Sequence, residues 1–347
     1  MELQRKSRSG CFNAGPVCGL LQIEKGCRTS AGRENQKMIS RKEFLRKSAV
    51  LAAGSTLPLW LNGVSTKNPG PPDLTILYTN DTHARLDPFP ENSLEFSGLG
   101  GIARRSSLVK KIRSEVDHVL LVDAGDVFQG TSWFDLYGGS VDFELMTEMK
   151  YDAMAVGNHE FDRGPDGFAE AARKAGFPIL AANYKVRNTP MNPYVQRFTT
   201  KEYKGFRVGI FGLGIPLEGV VAPELRGDVI SRRPEAWANG MVRSLREVHN
   251  CDFVICLSHL GYHYKGSRMD DLKLARNVTG IDLIIGAHTH TFLDNPVYIT
   301  NPSGKHTLIT QMGHSGVRLG RLDLYLDSAI HAFEIKSKYY VVGRSEA

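Results

Sequence analysis

Cysteine is scarce in this chain: there are five in 347 residues, and Cys11, Cys18 and Cys27 all fall within the first 37. The remaining two, Cys251 and Cys256, bound one apolar run, CDFVIC. An odd spacing along a strand points two side chains to opposite faces, which argues against a disulfide between them. Long hydrophobic runs are lacking too. The apolar stretch near the start, SAVLAAGSTLPLWL, has fourteen residues, too few to span a bilayer. A net positive charge is missing from most of the chain: the whole carries +6, but residues 1–72 hold twelve Lys and Arg against four Asp and Glu, which leaves −2 for residues 73–347. That body has no electrostatic footprint for nucleic acid. It also has no internal repeat and no low-complexity segment.

What is present at the start is a leader. Residues 1–37 are polar without a sustained period, so they are expected to be disordered or to precede the true initiator, Met38. Residues 38–72 read as a signal peptide and linker: SRKEFLRK (Ser40–Lys47) runs into the short apolar stretch, the layout of a secretory signal. SRKEFL is similar to the twin-arginine export signal, with Lys42 where the second arginine usually stands. The expectation is a periplasmic or otherwise exported protein whose only link to a membrane is this signal.

From Asp73 onward short apolar runs alternate with amphipathic stretches. The runs are DLTILYTND, HVLLVDAGD, YDAMAVGNHE, FPILAANY, FRVGIFGLG, CDFVICLSH and IDLIIGAHTH. Between them lie helical patterns such as Ile102–Val116 and Phe168–Ala175. Such alternation predicts an α/β domain over 73–347 with buried, largely parallel strands. From His306 strand follows strand (HTLITQM, GRLDLYL, IHAFEIKSKYYVV), which predicts antiparallel pairing there.

Ligands collect at the carboxyl ends of strands in open α/β sheets, and five of the apolar runs end in groups fit to bind one. Asp81 and His83 close the first, Asp126 the second, Asn158 and His159 the third, His259 the sixth, His288 and His290 the seventh. A lone His at a strand end is more often a hydrogen-bonded structural residue; five runs ending alike are another matter. Oxygen and imidazole donors without thiolate suit Mn²⁺, Zn²⁺, Fe or Co. Seven candidate ligands (Asp81, His83, Asp126, Asn158, His259, His288, His290) are too many for one tetrahedral ion and fit two divalent ions sharing Asp126. Two ions about 3.5–4 Å apart can acidify a water and clamp the attacking oxygen of an in-line displacement. By contrast, SGLGG (Ser97–Gly101) lacks the Lys-Ser/Thr of a P-loop and is expected to be a tight entry to the Ile102 helix. His118, His249, His263, His306, His314 and His331 lie outside the ligand pattern, with His314, in QMGHSG, the one expected nearest to it.

TNDTH (Thr79–His83), AGDVFQG (Ala124–Gly130), GNHEFD (Gly157–Asp162), SHLG (Ser258–Gly261), GAHTH (Gly286–His290) and GVRLGRLDL (Gly316–Leu324) occur in one order. This set resembles the calcineurin-like metallophosphoesterases, and more narrowly the N-terminal catalytic domain of bacterial 5′-nucleotidases, over about Asp73–Gly343. The resemblance implies a four-layer α-β-β-α sandwich with a dinuclear metal site at the carboxyl ends of the strands. It implies one metal on Asp81, His83, Asp126 and His290 and another on Asp126, Asn158, His259 and His288. Where many 5′-nucleotidases carry glutamine, this chain has His290. His159 would be the catalytic imidazole, stabilising phosphoryl charge or protonating the leaving alkoxide, with Asp162 fixing its tautomer.

The activity expected is therefore hydrolysis of phosphate monoesters, 5′-nucleotides first, by in-line attack of metal-activated hydroxide. A phosphodiesterase or nucleotide pyrophosphohydrolase is the alternative within enzymes. A non-catalytic exported metal-binding subunit is the alternative outside them, although such a module has no need of a His159–Asp162 pair. Full-length members continue into a C-terminal domain with an aromatic clamp and arginines, whereas this sequence stops at Ala347. The expectation drawn from that is loose substrate discrimination, or a separate chain resembling that domain.

Overall fold

The computed structural model describes residues 70–203, 205–327 and 332–344. The proposed start at Met38 and the export signal lie outside these residues. Two sheets form the frame, and the period-two alternation of their strands explains why there are two. In β1 (Leu74–Thr79), Leu74, Ile76 and Tyr78 enter one core while Leu77 enters another. The same split divides β2 (Val119–Asp123), where Leu120 and Val122 face away from Leu121. A strand apolar on both faces must be covered on both, so each sheet lies between two apolar layers.

In chain order the further elements are α1 (Ile102–Glu115), α2 (Ser132–Tyr137), α3 (Ser140–Glu148), β3 (Ala153–Ala155), α4 (Gly164–Ala172), β4 (Ile179–Leu180), β5 (Tyr184–Lys185), β6 (Val195–Gln196), β7 (Phe198–Tyr203) and β8 (Phe206–Gly214). Then come α5 (Pro223–Arg226), β9 (Ile230–Ser231), α6 (Pro234–Arg243), β10 (Phe253–His259), α7 (Asp271–Asn277), β11 (Leu283–Gly286), β12 (Val297–Thr300), β13 (His306–Thr310), β14 (Arg318–Asp327) and β15 (Ala332–Val341). The first sheet has the order β15-β14-β1-β2-β3-β4-β6, and the second β12-β13-β11-β10-β8-β7. A small third sheet pairs β5 with β9.

One core lies between the first sheet and α1, α3 and α4, through Val109, Ile112, Phe143, Met146 and Phe168. A second joins the two sheets, Leu74, Ile76 and Val122 meeting Val208, Ile210, Ile255 and Ile285. The third packs α6 and α7 on the outer face of the second sheet through Ala238, Met241, Leu274 and Ala275. The layering is α-β-β-α. At about 1.5–3 kcal/mol per fully buried large side chain, the inter-sheet core holds two rows of strand ends in fixed relation, and Tyr78 Oη bonds Thr310 Oγ1 across it at 2.8 Å.

Three expectations are corrected. β13 runs parallel to β11, with Leu283 opposite Leu308, and only its other edge, against β12, is antiparallel. The reason is that Ala287–Thr300 carries the chain back along the sheet before β13 begins. The second helical pattern begins and ends earlier than expected, at Gly164 and Ala172, because Pro165 at the start of the helix presets its first turn. Cys251 and Cys256 are free, as expected, yet both enter the same outer core. Cys251 precedes β10, so strand alternation does not govern it.

Candidate metal centre

The parallel strands β1, β2 and β3 of one sheet and β10 and β11 of the other present their carboxyl ends to one place. Backbone bonds zip the first two of these ends together: the N–H of Asp81 donates to the Gly125 carbonyl at 2.9 Å, that of His83 to Asp126 at 3.1 Å, and that of Ala84 to Val127 at 2.7 Å. The sheets are joined here too. The N–H of His288, after β11, donates to both Asp81 carboxylate oxygens at 3.0 Å.

All nine residues singled out from the sequence converge. Asp81, His83 and His290 offer ligand atoms within 4.8 Å of one another, and so do Asp126, His259 and His288. His83 Nε2 lies 3.0 Å from His290 Nε2, and His259 Nε2 lies 3.0 Å from Asp126 Oδ2. His83 Nδ1 donates to the Phe128 carbonyl at 3.1 Å and His259 Nδ1 to that of Ala124 at 2.9 Å. With Nδ1 protonated, each ring turns a lone pair on Nε2 toward the cluster, the usual way an outer partner sets a ligating tautomer. As an imidazolium, His259 can donate its Nε2–H to the Asp126 carboxylate at 3.0 Å, and a divalent cation placed between them would displace that proton and take both groups as ligands. Asn158 Oδ1 is buried with no hydrogen-bond partner, so the residues present fit a pair of divalent ions.

The electrostatics agree. Burial lowers the imidazolium pKa of His83, and it takes that of His288 down to about 4, with the neighbouring His259 adding to the effect. Both rings stay neutral and ready to ligate. Burial alone would raise the carboxyl of Asp126, but His259, by its charge and its hydrogen bond, together with the charge of His159, more than reverses this and holds it well below the usual range. His259 shows the reciprocal effect: burial opposes its charge, and the Asp126 carboxylate prevails, pushing it up to about 10.

His159 stands apart from the donors. It opens a short 3₁₀ turn, His159–Phe161, and its Nδ1 contacts Asp162 Oδ2 at 2.8 Å. Its ring packs edge-on to His83 with centroids 5.3 Å apart. Burial would lower its pKa, but the bond to Asp162 and the Asp126 charge raise it. His314, the outlying histidine expected nearest, stacks on His290 at 4.7 Å.

Close approach at the centre depends on two glycines. A Cβ on Gly157 would lie 2.3 Å from Asp126 Oδ1, and one on Gly125, where φ is +97°, would lie 2.9 Å from His259 Nδ1. The candidate ligands themselves are held in the left-handed region at five places: Asp81, His83, Asp126, His288 and His290, with φ between 48° and 68°. Such conformations cost on the order of 1–3 kcal/mol each and persist only where the surroundings enforce them.

Sequence reasoning missed the residues that do the enforcing. Glu160 is fully buried and its carboxylate accepts from the N–H groups of Gly157 at 2.6 Å, Asp126 at 3.0 Å, Val127 at 2.8 Å and Phe128 at 3.3 Å. Burial and the adjacent Asp126 charge push its carboxyl up to about 7, against the pull of these bonds. Asn80 Nδ2 donates to Asp81 Oδ2 and the Gly313 carbonyl, both at 2.6 Å, and its Oδ1 accepts from Met312 N–H at 2.8 Å. Gln311 ties down the GAHTH turn by donating to the Ala287 carbonyl at 2.7 Å. The one available signal was an acidic residue, Glu160, in a turn that needs none.

Glu160→Ala should leave four buried N–H groups unpaired. At about 1–3 kcal/mol for each orphaned group, partly relieved by relaxation, the expected loss is about 3–5 kcal/mol in urea unfolding. Glu160→Gln, which keeps one acceptor oxygen, should lose less. Midpoints for both variants at the wild-type value would show that the clamp contributes nothing to stability.

Comparison with known proteins places this geometry. The model of the calcineurin-like phosphoesterase family matches residues 74–292. The chain is 35% identical over 297 residues to the trifunctional nucleotide phosphoesterase protein YfkN of Bacillus subtilis (strain 168), covering 75% of this chain and 19% of that protein. It is 36% identical over 282 residues to the 5′-nucleotidase of Rattus norvegicus, covering 76% of this chain and 45% of that one. The crystal structure of a 5′-nucleotidase precursor from Thermus thermophilus superposes with a TM-score of 0.70 at 34% identity, over 78% of this chain and 54% of that one. The chain thus spans less than half the length of these two sequence relatives.

Proposed function

This chain belongs to the calcineurin-like phosphoesterase family, and from that premise we propose that it is an exported hydrolase removing the phosphoryl group from phosphate monoesters, 5′-nucleotides first. That it is a metal-dependent phosphoester hydrolase follows from the family and from its similarity to 5′-nucleotidases. The observation that carries the finer reading is the pairing of two donor clusters with His159 beside them. When bound, two divalent ions supply Lewis-acid polarisation of phosphoryl oxygens and an acidified water.

The chain's own residues do the rest. Asp81, His83 and His290 would hold one ion and Asn158, His259 and His288 the other, with Asp126 between. Asp162 occupies Nδ1 of His159 at 2.8 Å, which leaves Nε2 as the ring nitrogen available to a substrate. From there the ring can donate a proton to the leaving alkoxide or a hydrogen bond to a phosphoryl oxygen. Glu160 and Asn80 keep the turns from shifting as charge develops. The positions that carry proton transfer and ligation stay distinct: the backbone N–H of His159, and not its ring, contacts Asp126, at 2.8 Å.

Substrate loss and product formation, followed by chromatography for a nucleoside 5′-monophosphate, a 2′,3′-cyclic nucleotide and a pyrophosphate-linked nucleotide sugar, each with Mn²⁺ supplied, test the substrate class. The monophosphate is expected to be turned over fastest, and faster turnover of the diester or anhydride would replace this reading with the corresponding activity. Export is motivated by SRKEFLRK and the apolar run after it. N-terminal sequencing of the mature protein is expected to find a start beyond Leu61, and retention of residues 1–37 would overturn it.

A further inference from the structure

A cavity of about 480 Å³ opens on a different part of the described surface and shares no residue with the metal-ligand clusters. It lies among β5, β6 and the start of α6. Four cationic side chains line it, Lys185, Arg187, Arg197 and Arg232, and no carboxylate does. In a body that carries −2 over residues 73–347, this is a local reversal of sign. Among the described residues none of the four is paired with an acidic side chain. Glu218 and Asp228 sit in the adjoining cavity that shares Lys185 and Arg187, and the Glu218 carboxylate is already bound to Arg226 at 2.7 Å and to Ser231. Glu235, in the first turn of α6, does not line the cavity.

The interior has a second character. Buried Tyr184 and Val186 and half-buried Val195 give it an apolar floor. The Arg197 guanidinium lies over the Trp237 ring, 4.9 Å from its centroid. Stacking holds that guanidinium in one orientation, which lowers the entropy lost when its fork engages an anion. The four cations are solvent-exposed, so an anion that enters the cavity meets them with no lining carboxylate to compete.

We propose that this cavity is a second ligand site, which binds a phosphorylated small molecule with a flat apolar body, of nucleoside-phosphate size, independently of the metal centre. Its volume falls in the range of pockets that enclose small ligands. The guanidinium forks match phosphate oxygens bidentately, and the floor takes the apolar part. No reaction is assigned to it.

The test is isothermal titration calorimetry on the full chain with a non-hydrolysable nucleoside 5′-methylenediphosphonate, metal-loaded and after chelator treatment. A binding event of one per chain is expected to survive metal removal and to weaken with added salt. It should weaken by about 30-fold or more in the Arg197→Ala/Arg232→Ala double variant, the loss of two bidentate contacts. Hydrolysis of p-nitrophenyl phosphate by that variant should stay within about twofold of wild type. Inorganic pyrophosphate should bind at least about tenfold more weakly, because it offers nothing to the floor. Loss of all binding on metal removal, or metal-independent binding that the double variant retains, would overturn the site. Pyrophosphate binding as tightly as the nucleoside probe would overturn the ligand class.

Discussion

Asp126→Asn is expected to release at least one ion from the centre and to lower turnover by about 10³-fold or more, roughly 4 kcal/mol of transition-state stabilisation. Asp126 Oδ1 accepts the His159 backbone N–H at 2.8 Å while Oδ2 faces His259 Nε2 at 3.0 Å. An amide can keep the first contact, but its NH₂ then points at the imidazole lone pair and donates to it. The substitution therefore removes a negative charge and blocks a neighbouring donor together. Asparagine is nearly isosteric, so the turn packed against Gly157 need not move, and loss of function would not reflect a misfolded loop. Metal per chain and kcat, measured on the same preparations, check this; two ions retained with turnover within about tenfold of wild type would refute a shared Asp126.

His159→Ala is expected to reduce kcat by about 10² to 10⁴-fold, the usual worth of a positioned acid or base, while both ions stay bound. The distinction rests on which atoms touch what. The ring is tied to Asp162 at 2.8 Å and is one-third exposed, whereas its backbone N–H holds Asp126 and survives the substitution. Asp162→Ala should cost less, because the imidazole remains and only its orientation and basicity are lost. A metal-free His159→Ala protein would make the ring a ligand and reverse the division of labour.

The strand ends were legible because they are local events: an apolar run long enough for a buried strand stops, and a donor follows within a few residues. The alternation of runs with helical patterns likewise gave the layered α/β class. The pairing of His159 with Asp162 could be anticipated because three residues of tight turn leave few alternatives. Other features were out of reach for equally physical reasons. Glu160 lies inside the quoted GNHEFD, yet whether a carboxylate faces water or four backbone N–H groups depends on the turn at Asp126–Phe128, which lies more than thirty residues away in the chain. The parallel course of β13 depends on where the preceding loop returns, and composition does not encode that. Cys251 escaped the alternation rule because the strand begins two residues later, at Phe253.

The sequence by itself therefore determined the chemistry available: imidazole, carboxylate and amide donors without thiolate, each placed just past an apolar run, because donor type and run length are properties of short segments. The tertiary structure decided how those donors meet. His83 and His290, 207 residues apart, turn their Nε2 atoms to within 3.0 Å only because the inter-sheet core fixes the two rows of strand ends. Five of the candidate ligands occupy left-handed backbone that no short segment would choose alone, and bonds between strand ends, from Glu160 and Gln311 within each sheet and from Asn80 across the two, offset the cost.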